Sequence, residues 1–324
     1  MRVITVEEHF ITPAFAAGPG KATTERFRNS RAGGALIVER LFEVGDKRVA
    51  EMDAAGIDVQ VLSLNSPGVE QVEVGEAIAC SRDANEFLAD AIKKHPTRFA
   101  GFASLPTQAP DQAAAELERC VRQLGFKGAN INGHTRGRYL DDKFFSPILE
   151  RADALGVPIY LHPTVPPKAV VDALYGGFDP AVSGSLASGG WGWHIETAVH
   201  LLRMVLGGVF DRHPKLQVMI GHMGEGIPFM LQRLNKNLPT QMTKLERPVA
   251  EYLRKNVHYT FGGLNFAPTF LNLLLEVGVE RIMFSADYPY VAMEEARSFL
   301  RHLPVSEADR ARIAHGNAEK LLNL

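Results

Sequence analysis

Short apolar runs recur along the chain, and a longer stretch with apolar positions at helical spacing follows each of them. VITVEEH (3–9), IDVQVLSL (57–64), RFAGFASL (98–105), FKGANING (126–133), PIYLHP (158–163), LQVMIGH (216–222), VHYTFGG (257–263) and RIMFSAD (281–287) have the length and apolar content of buried strands. Helices are predicted over 46–55, 74–95, 110–124, 142–155, 194–208, 225–238, 267–277 and 291–302, with more helix from 306 onward. Several helices close on a glycine just before the next strand, at positions 56, 125 and 156, where a left-handed cap is expected. Strand and helix alternating in this way define an α/β protein with a parallel sheet. Eight strands fit a closed (β/α)8 TIM barrel better than an open sheet. The turn after the first strand reads EEHFITP, not the glycine-rich phosphate loop of a dinucleotide-binding sheet. One domain over residues 1–324 is expected, with long loops at 11–44 and 163–193, after the first and fifth strands. Structureless loops of that length usually serve as lids or subunit contacts.

Composition narrows the partners. Hydrophobic residues make up 46% of the 324, enough for a large core. Lys plus Arg is 35 and Asp plus Glu is 37, a formal charge of −2 with no dense basic run, so neither nucleic acid nor an anionic membrane is expected as a partner. No apolar run reaches the roughly 20 residues of a membrane helix. The N-terminus enters a strand directly, without a basic and then apolar leader, so a soluble, cytoplasmic protein is expected. Cys80 and Cys120 fall in predicted helices and are expected to be free thiols.

Active sites of such barrels sit at the C-terminal ends of the strands. Here the first strand ends in Glu7, Glu8 and His9, the fifth in His162, the sixth in His222 and the eighth in Asp287. Side chains alternate along a strand, so Glu7 and His9 share one face and Glu8 takes the other. Singly, each residue has a plain structural explanation: a hydrogen-bonded core histidine, or an aspartate capping a turn. Jointly, four apolar strands carry costly polar groups at one end, and a shared cation removes that cost. Glu7, His9, His162 and Asp287 form a mixed nitrogen and oxygen set suited to zinc, manganese or iron. A two-metal site would need a bridging group at the end of the fourth strand, but that strand ends N-I-N-G and Lys127 stands at its start, so a single ion is expected. In GHMGEG (221–226), Glu225 lies three residues after His222, at the start of the predicted helix, and can hold its tautomer. That makes His222 a candidate general acid/base or electrophile. Gly224 and Gly226 would let the backbone approach a ligand. Asn65, Asn132, Trp191 and Trp193 are pocket candidates, the indoles being able to stack on a flat substrate.

Taken together, EEHF (7–10), LSLNSP (62–67), FASLP (102–106), LGFKGANING (124–133), YLHP (160–163), ETAVH (196–200), FDRHPKLQVMIGHMGEGIPFMLQR (210–233) and RIMFSADYPY (281–290) resemble the amidohydrolase superfamily. More narrowly, they resemble its branch containing aminocarboxymuconate semialdehyde decarboxylase and γ-resorcylate (2,6-dihydroxybenzoate) decarboxylase. The resemblance covers nearly the whole chain. It implies metal ligands at Glu7, His9, His162 and Asp287, catalytic roles for His222 and Glu225, and a substrate-carboxylate contact at Arg233. It also implies one Mn2+ or Zn2+ ion. The E-x-H form of the first motif implies non-oxidative decarboxylation of a hydroxybenzoate-like, or related unsaturated, carboxylic acid. Asp287 would then deliver the proton. The alternative is a hydrolase that opens a lactone or amide with metal-activated water. A non-catalytic metal-binding barrel is disfavoured because the acid/base set is complete. A homodimer or homotetramer is expected. The FGG at 261–263 and the glycine-rich loops depart from the family pattern, so the metal chemistry transfers better than the substrate identity.

Overall fold

A computed structural model describes residues 1–29 and 33–324. The predicted apolar runs become nine strand segments among the described residues: β1 (Ile4–Phe10), β2 (Val59–Leu64), β3 (Phe99–Gly101), β4 (Ala103–Ser104), β5 (Ala129–Asn132), β6 (Ile159–His162), β7 (Val218–Ile220), β8 (Val257–Thr260) and β9 (Ile282–Met283). β3 and β4 are two halves of one stave, interrupted at Phe102, so the segments make eight staves. Every neighbouring pair is parallel, in the order β1-β2-β3 and then β4 through β9. Backbone bonds from Phe102 N to Leu62 O and from Ala103 N to Gly128 O, both 2.9 Å, join the two runs.

The other seam closes at the first strand. His9 N donates to Tyr288 O (2.9 Å), within a parallel bridge between Glu8 and Tyr288. Glu8 reinforces it from the outer face, where its carboxylate accepts from Ala286 N (2.8 Å) and Tyr288 N (3.1 Å). Burial pushes the Glu8 carboxyl up to about 8, against those bonds and the nearby Arg48. The buried Arg48 guanidinium donates to His9 O (2.8 Å) and Gln60 Oε1 (2.7 Å) and lies 4.5 Å from the Tyr288 ring centre. The two adjacent carboxylates therefore do different work: Glu8 fastens the barrel, and Glu7 faces its interior. The structure is the TIM barrel expected from the strand and helix alternation.

Inward residues of the staves fill the barrel: Ile4, Val6, Val59, Val61, Ala100, Phe102, Tyr160, Met219 and Met283. Ala318 and Leu322 of the last helix pack onto the same cluster and stopper the end where the strands start. A larger apolar cluster lies between the staves and the outer helices. The glycine caps behave as expected, with left-handed φ of 72°, 74° and 66° at Gly56, Gly125 and Gly156. Cys80 and Cys120 are buried free thiols, and burial pushes the Cys80 thiol up to about 12. No helix among the described residues is long and apolar enough to cross a membrane.

Both predicted long loops are largely helical. Residues 11–44 contain helices Pro13–Ala17, Lys21–Arg28 and Gly34–Phe42, while positions 30–32 of that stretch lie outside the described residues. Residues 163–193 contain Lys168–Leu174 and Pro180–Ala187. Side-chain caps start two of these short helices: Thr12 Oγ1 accepts from Phe15 N (3.1 Å), and Asp179 Oδ1 from Ala181 N (2.9 Å). Lys168–Leu174 buries no side chain, so it leaves no apolar stripe to read.

Candidate active site

Four staves deliver polar side chains to one point at the C-terminal mouth. Glu7 on β1 is buried, and its Oε2 accepts from Thr260 Oγ1 (2.6 Å) and Ser285 Oγ (3.3 Å). Those bonds hold the carboxylate so that Oε1 faces His162 Nε2 and His222 Nδ1, each 4.0 Å away. Glu7 Oε1 has no hydrogen-bond partner, and neither does His9 Nε2, although Asp287 Oδ1 lies only 3.2 Å from that nitrogen. His162 Nδ1 stands 3.0 Å from Pro163 O and must carry the proton there, which leaves a lone pair on Nε2 facing the same space. Burial, with His9 and His222 nearby, holds the His162 imidazole well below its usual range, in the neutral form that ligates a metal. Asp287 sits in a left-handed turn at φ 62°, its carbonyl accepting from Tyr290 N (2.8 Å) and Val291 N (3.2 Å).

Unpaired buried polar atoms cost about 1–3 kcal/mol each. Two of them beside two further ligand atoms is an arrangement that a divalent ion would satisfy. The residues present fit one.

His222 follows β7 in a tight turn, not in the strand itself. His222, Met223 and Glu225 all have φ between 50° and 55°, and the next helix starts only at Ile227. Glu225 is thus in a left-handed turn rather than at the start of that helix. Left-handed conformations cost a non-glycine residue about 1–2 kcal/mol, so the packing around the turn must hold it. Glycines make the room: a Cβ on Gly262 would sit 2.3 Å from His222 N, and one on Gly221 would sit 2.4 Å from Glu7 Oε1. The FGG after β8 is therefore the seat of His222. The turn brings Glu225 Oε1 2.7 Å from His222 Nδ1, as the spacing suggested. Burial alone would lower the His222 imidazole, but the Glu225 and Glu7 charges outweigh it and raise it to about 10. Burial would raise the Glu225 carboxyl, yet His222 and His194 bring it below its usual value.

Above this cluster lies a cavity of about 720 Å³, floored by His162, His222 and Asp287 and walled by Phe27, Ile37, Trp193 and Tyr290. Asn65 lines it as expected, with Oδ1 accepting from Tyr290 Oη (2.7 Å). Three of the expected substrate-binding residues are not among those that line this chain's own cavity. Arg233, on the helix Ile227–Asn237, is exposed and does not line this chain's cavity. Asn132 is buried behind the wall, its backbone N–H donating to Glu70 Oε1 (2.8 Å). Trp191 is 54% exposed and outside the cavity lining, while Trp193, the other indole of the expected pair, lines it.

Two further residues escaped sequence reasoning. Arg26, on the helix Lys21–Arg28, is the one lysine or arginine among the described lining residues. It reads as part of a solvated face beside Arg28, with no signal in the pattern. His194 donates from Nδ1 to Glu225 Oε2 (2.6 Å), and its ring centre lies 4.6 Å from that of His222. Its position one residue after Trp193 was the available hint.

A barrel with this rim is the architecture of the amidohydrolases, and the chain belongs to that family, whose model matches residues 36–324. It stands in the family's decarboxylase branch. It is 38% identical to a γ-resorcylate decarboxylase of Polaromonas sp. over 340 aligned positions, covering 99% of this chain and 98% of the relative. A solved structure of dihydroxybenzoic acid decarboxylase from Polaromonas sp., with bound manganese and the inhibitor 2-nitroresorcinol, superposes with a TM-score of 0.90 at 36% identity, over 100% of this chain and 97% of the other. A 5-carboxyvanillate decarboxylase from Novosphingobium aromaticivorans, complexed with manganese and 4-hydroxy-3-methoxy-5-nitrobenzoic acid, gives 0.90 at 33% identity, over 100% and 96%.

Proposed function

We propose that this protein is a metal-dependent, non-oxidative decarboxylase of a hydroxybenzoate-type acid, with one divalent ion held by Glu7, His9, His162 and Asp287. The observation that carries this reading is the pair of buried, unpartnered atoms, Glu7 Oε1 and His9 Nε2, beside His162 Nε2 and Asp287 Oδ1 under a cavity partly lined by aromatic rings. Manganese is the metal named with the solved relatives, and the donor set accepts manganese or zinc. Among the described residues, not the four-residue set but His194, His222 and Glu225 form the group whose ligand atoms all lie within 4.8 Å of one another. Its contacts of 2.6 and 2.7 Å are hydrogen-bond lengths. A tetrahedral ion with bonds of about 2.1 Å would hold its ligands about 3.4 Å apart. We therefore read that trio as a proton-holding relay.

When bound, the ion supplies positive charge to the substrate's phenolate and carboxylate oxygens. The rest falls to the chain. Phe27, Trp193 and Tyr290 wall a slot that suits a planar ring. Asp287 delivers a proton to the ring carbon that bears the carboxylate. The carbon–carbon bond then breaks, its electron pair restores the aromatic ring, and CO2 leaves. Asp287 recovers its proton from solvent. His222, held by Glu225, hydrogen-bonds a substrate oxygen. Arg26, which lines the cavity, brings positive charge to an anionic substrate. No external oxidant or organic cofactor is needed.

The test is CO2 release from ortho-hydroxybenzoates, measured beside hydrolysis of lactones and amides. Turnover of at least one hydroxybenzoate is expected. Arg26→Ala should raise KM about tenfold or more, with kcat nearly unchanged. Lactone or amide hydrolysis without CO2 release would overturn the reading.

A further inference from the structure

We infer that His194 is a positioning residue for the acid/base pair, acting through Glu225, and that it ties the cavity wall to His222. This rests on the decarboxylase reading for its kinetics but not for its geometry. The Glu225 side chain is fully buried, and its two oxygens are divided between two imidazoles: Oε1 lies 2.7 Å from His222 Nδ1 and Oε2 2.6 Å from His194 Nδ1. A buried carboxylate held at one oxygen can swing about its last torsion. Held at both, it fixes the plane in which it meets His222.

The other edge of His194 faces the wall. Its Nε2 is 3.1 Å from the indole nitrogen of Trp193, which can only donate, and 3.1 Å from Gly189 O, which can only accept. The neutral ring satisfies the first and the protonated ring the second. In both states Nδ1–H remains on Glu225. Trp193 and Gly189 themselves line the cavity. A Cβ on Gly189 would lie 2.9 Å from the Trp193 ring, so the glycine permits this close packing. A substrate that presses on the Trp193 wall therefore presses on the support of the acid/base pair. The glycine-rich stretch before His194 thus acquires a role: it places an imidazole behind Glu225.

The experiment compares His194→Ala and His194→Asn, because the asparagine amide can keep an N–H near the Nδ1 position. His194→Ala should lose kcat about 10–100-fold with KM changed less than about threefold, and His194→Asn should stay within about fivefold of wild type. A readout independent of substrate is the proton NMR signal of the His222 Nδ1–H in protein with 15N-labelled histidine. The signal should persist in wild type and His194→Asn, and should broaden or exchange in His194→Ala. If the alanine variant does not fold, His194→Phe fills the ring space without a donor and takes its place. An alanine or phenylalanine variant with kcat within twofold and an unchanged His222 signal overturns the inference, as does an asparagine variant that falls as far as alanine. Absence of CO2 release by wild-type protein would sink the decarboxylase reading and leave the NMR comparison to decide this one.

Discussion

Asp287→Asn is expected to lower turnover by about 10³-fold or more while substrate binding stays measurable. The substitution keeps shape and backbone conformation; it removes the transferable proton and one negative charge at the proposed metal site, so metal content is measured alongside. Asp287 occupies the left-handed region, at φ 62°, and asparagine accepts that conformation as readily as aspartate. The turn bonds to Tyr290 N and Val291 N use the backbone carbonyl and survive. An amide oxygen can still face His9 Nε2, now 3.2 Å from Oδ1. What asparagine cannot do is hand a proton to carbon. Substrate affinity, read by equilibrium titration with a hydroxybenzoate, should therefore change little while CO2 release collapses. Near-normal turnover would remove Asp287 from the proton path. Loss of both binding and turnover, with metal content intact, would make it a substrate anchor instead.

Glu7→Gln should abolish the response to metal. In wild-type protein a divalent ion at a hundred times its Kd should stabilise the fold by about 2.7 kcal/mol, read as a rise in Tm. Glutamine preserves shape and an acceptor for Thr260 Oγ1, now 2.6 Å from Oε2, but removes the buried negative charge that the ion neutralises. Burial already drives the metal-free Glu7 carboxyl above its usual range. Metal-free Glu7→Gln is therefore expected to be at least as stable as metal-free wild type, because the desolvation cost of the buried carboxylate outweighs its attraction to His222. With metal added, wild type should rise and the variant should not, and its activity should fall at least 100-fold. An equal rise of Tm in both proteins would exclude Glu7 as a ligand.

Much of this was legible in the chain, for identifiable reasons. The staves are buried on both faces, so they appear as apolar runs, and glycine caps such as Gly56 and Gly156 mark the end of the preceding helix. Side-chain alternation separated Glu7 from Glu8 before any contact was known. It could not say that Glu8 would fasten the barrel seam to Ala286 and Tyr288, because that bond joins residues 278 and 280 apart in sequence. The wall was least readable. Lys168–Leu174 buries nothing, and Arg26 reaches the cavity through a placement that only the folded chain defines, whereas the pocket role of Trp193 was read from the sequence. Arg233, inferred from a matching motif, is exposed on its helix and outside the lining of this chain's own cavity.

The convergence of Glu7, His9, His162 and Asp287 on one cation is most directly tested by anomalous diffraction at the manganese edge, from crystals of manganese-loaded protein. The account predicts a single peak per chain, bounded by Glu7 Oε1, His9 Nε2, His162 Nε2 and Asp287 Oδ1. A peak among His194, His222 and Glu225 instead, or no peak within bonding distance of Glu7 and His9, would contradict it.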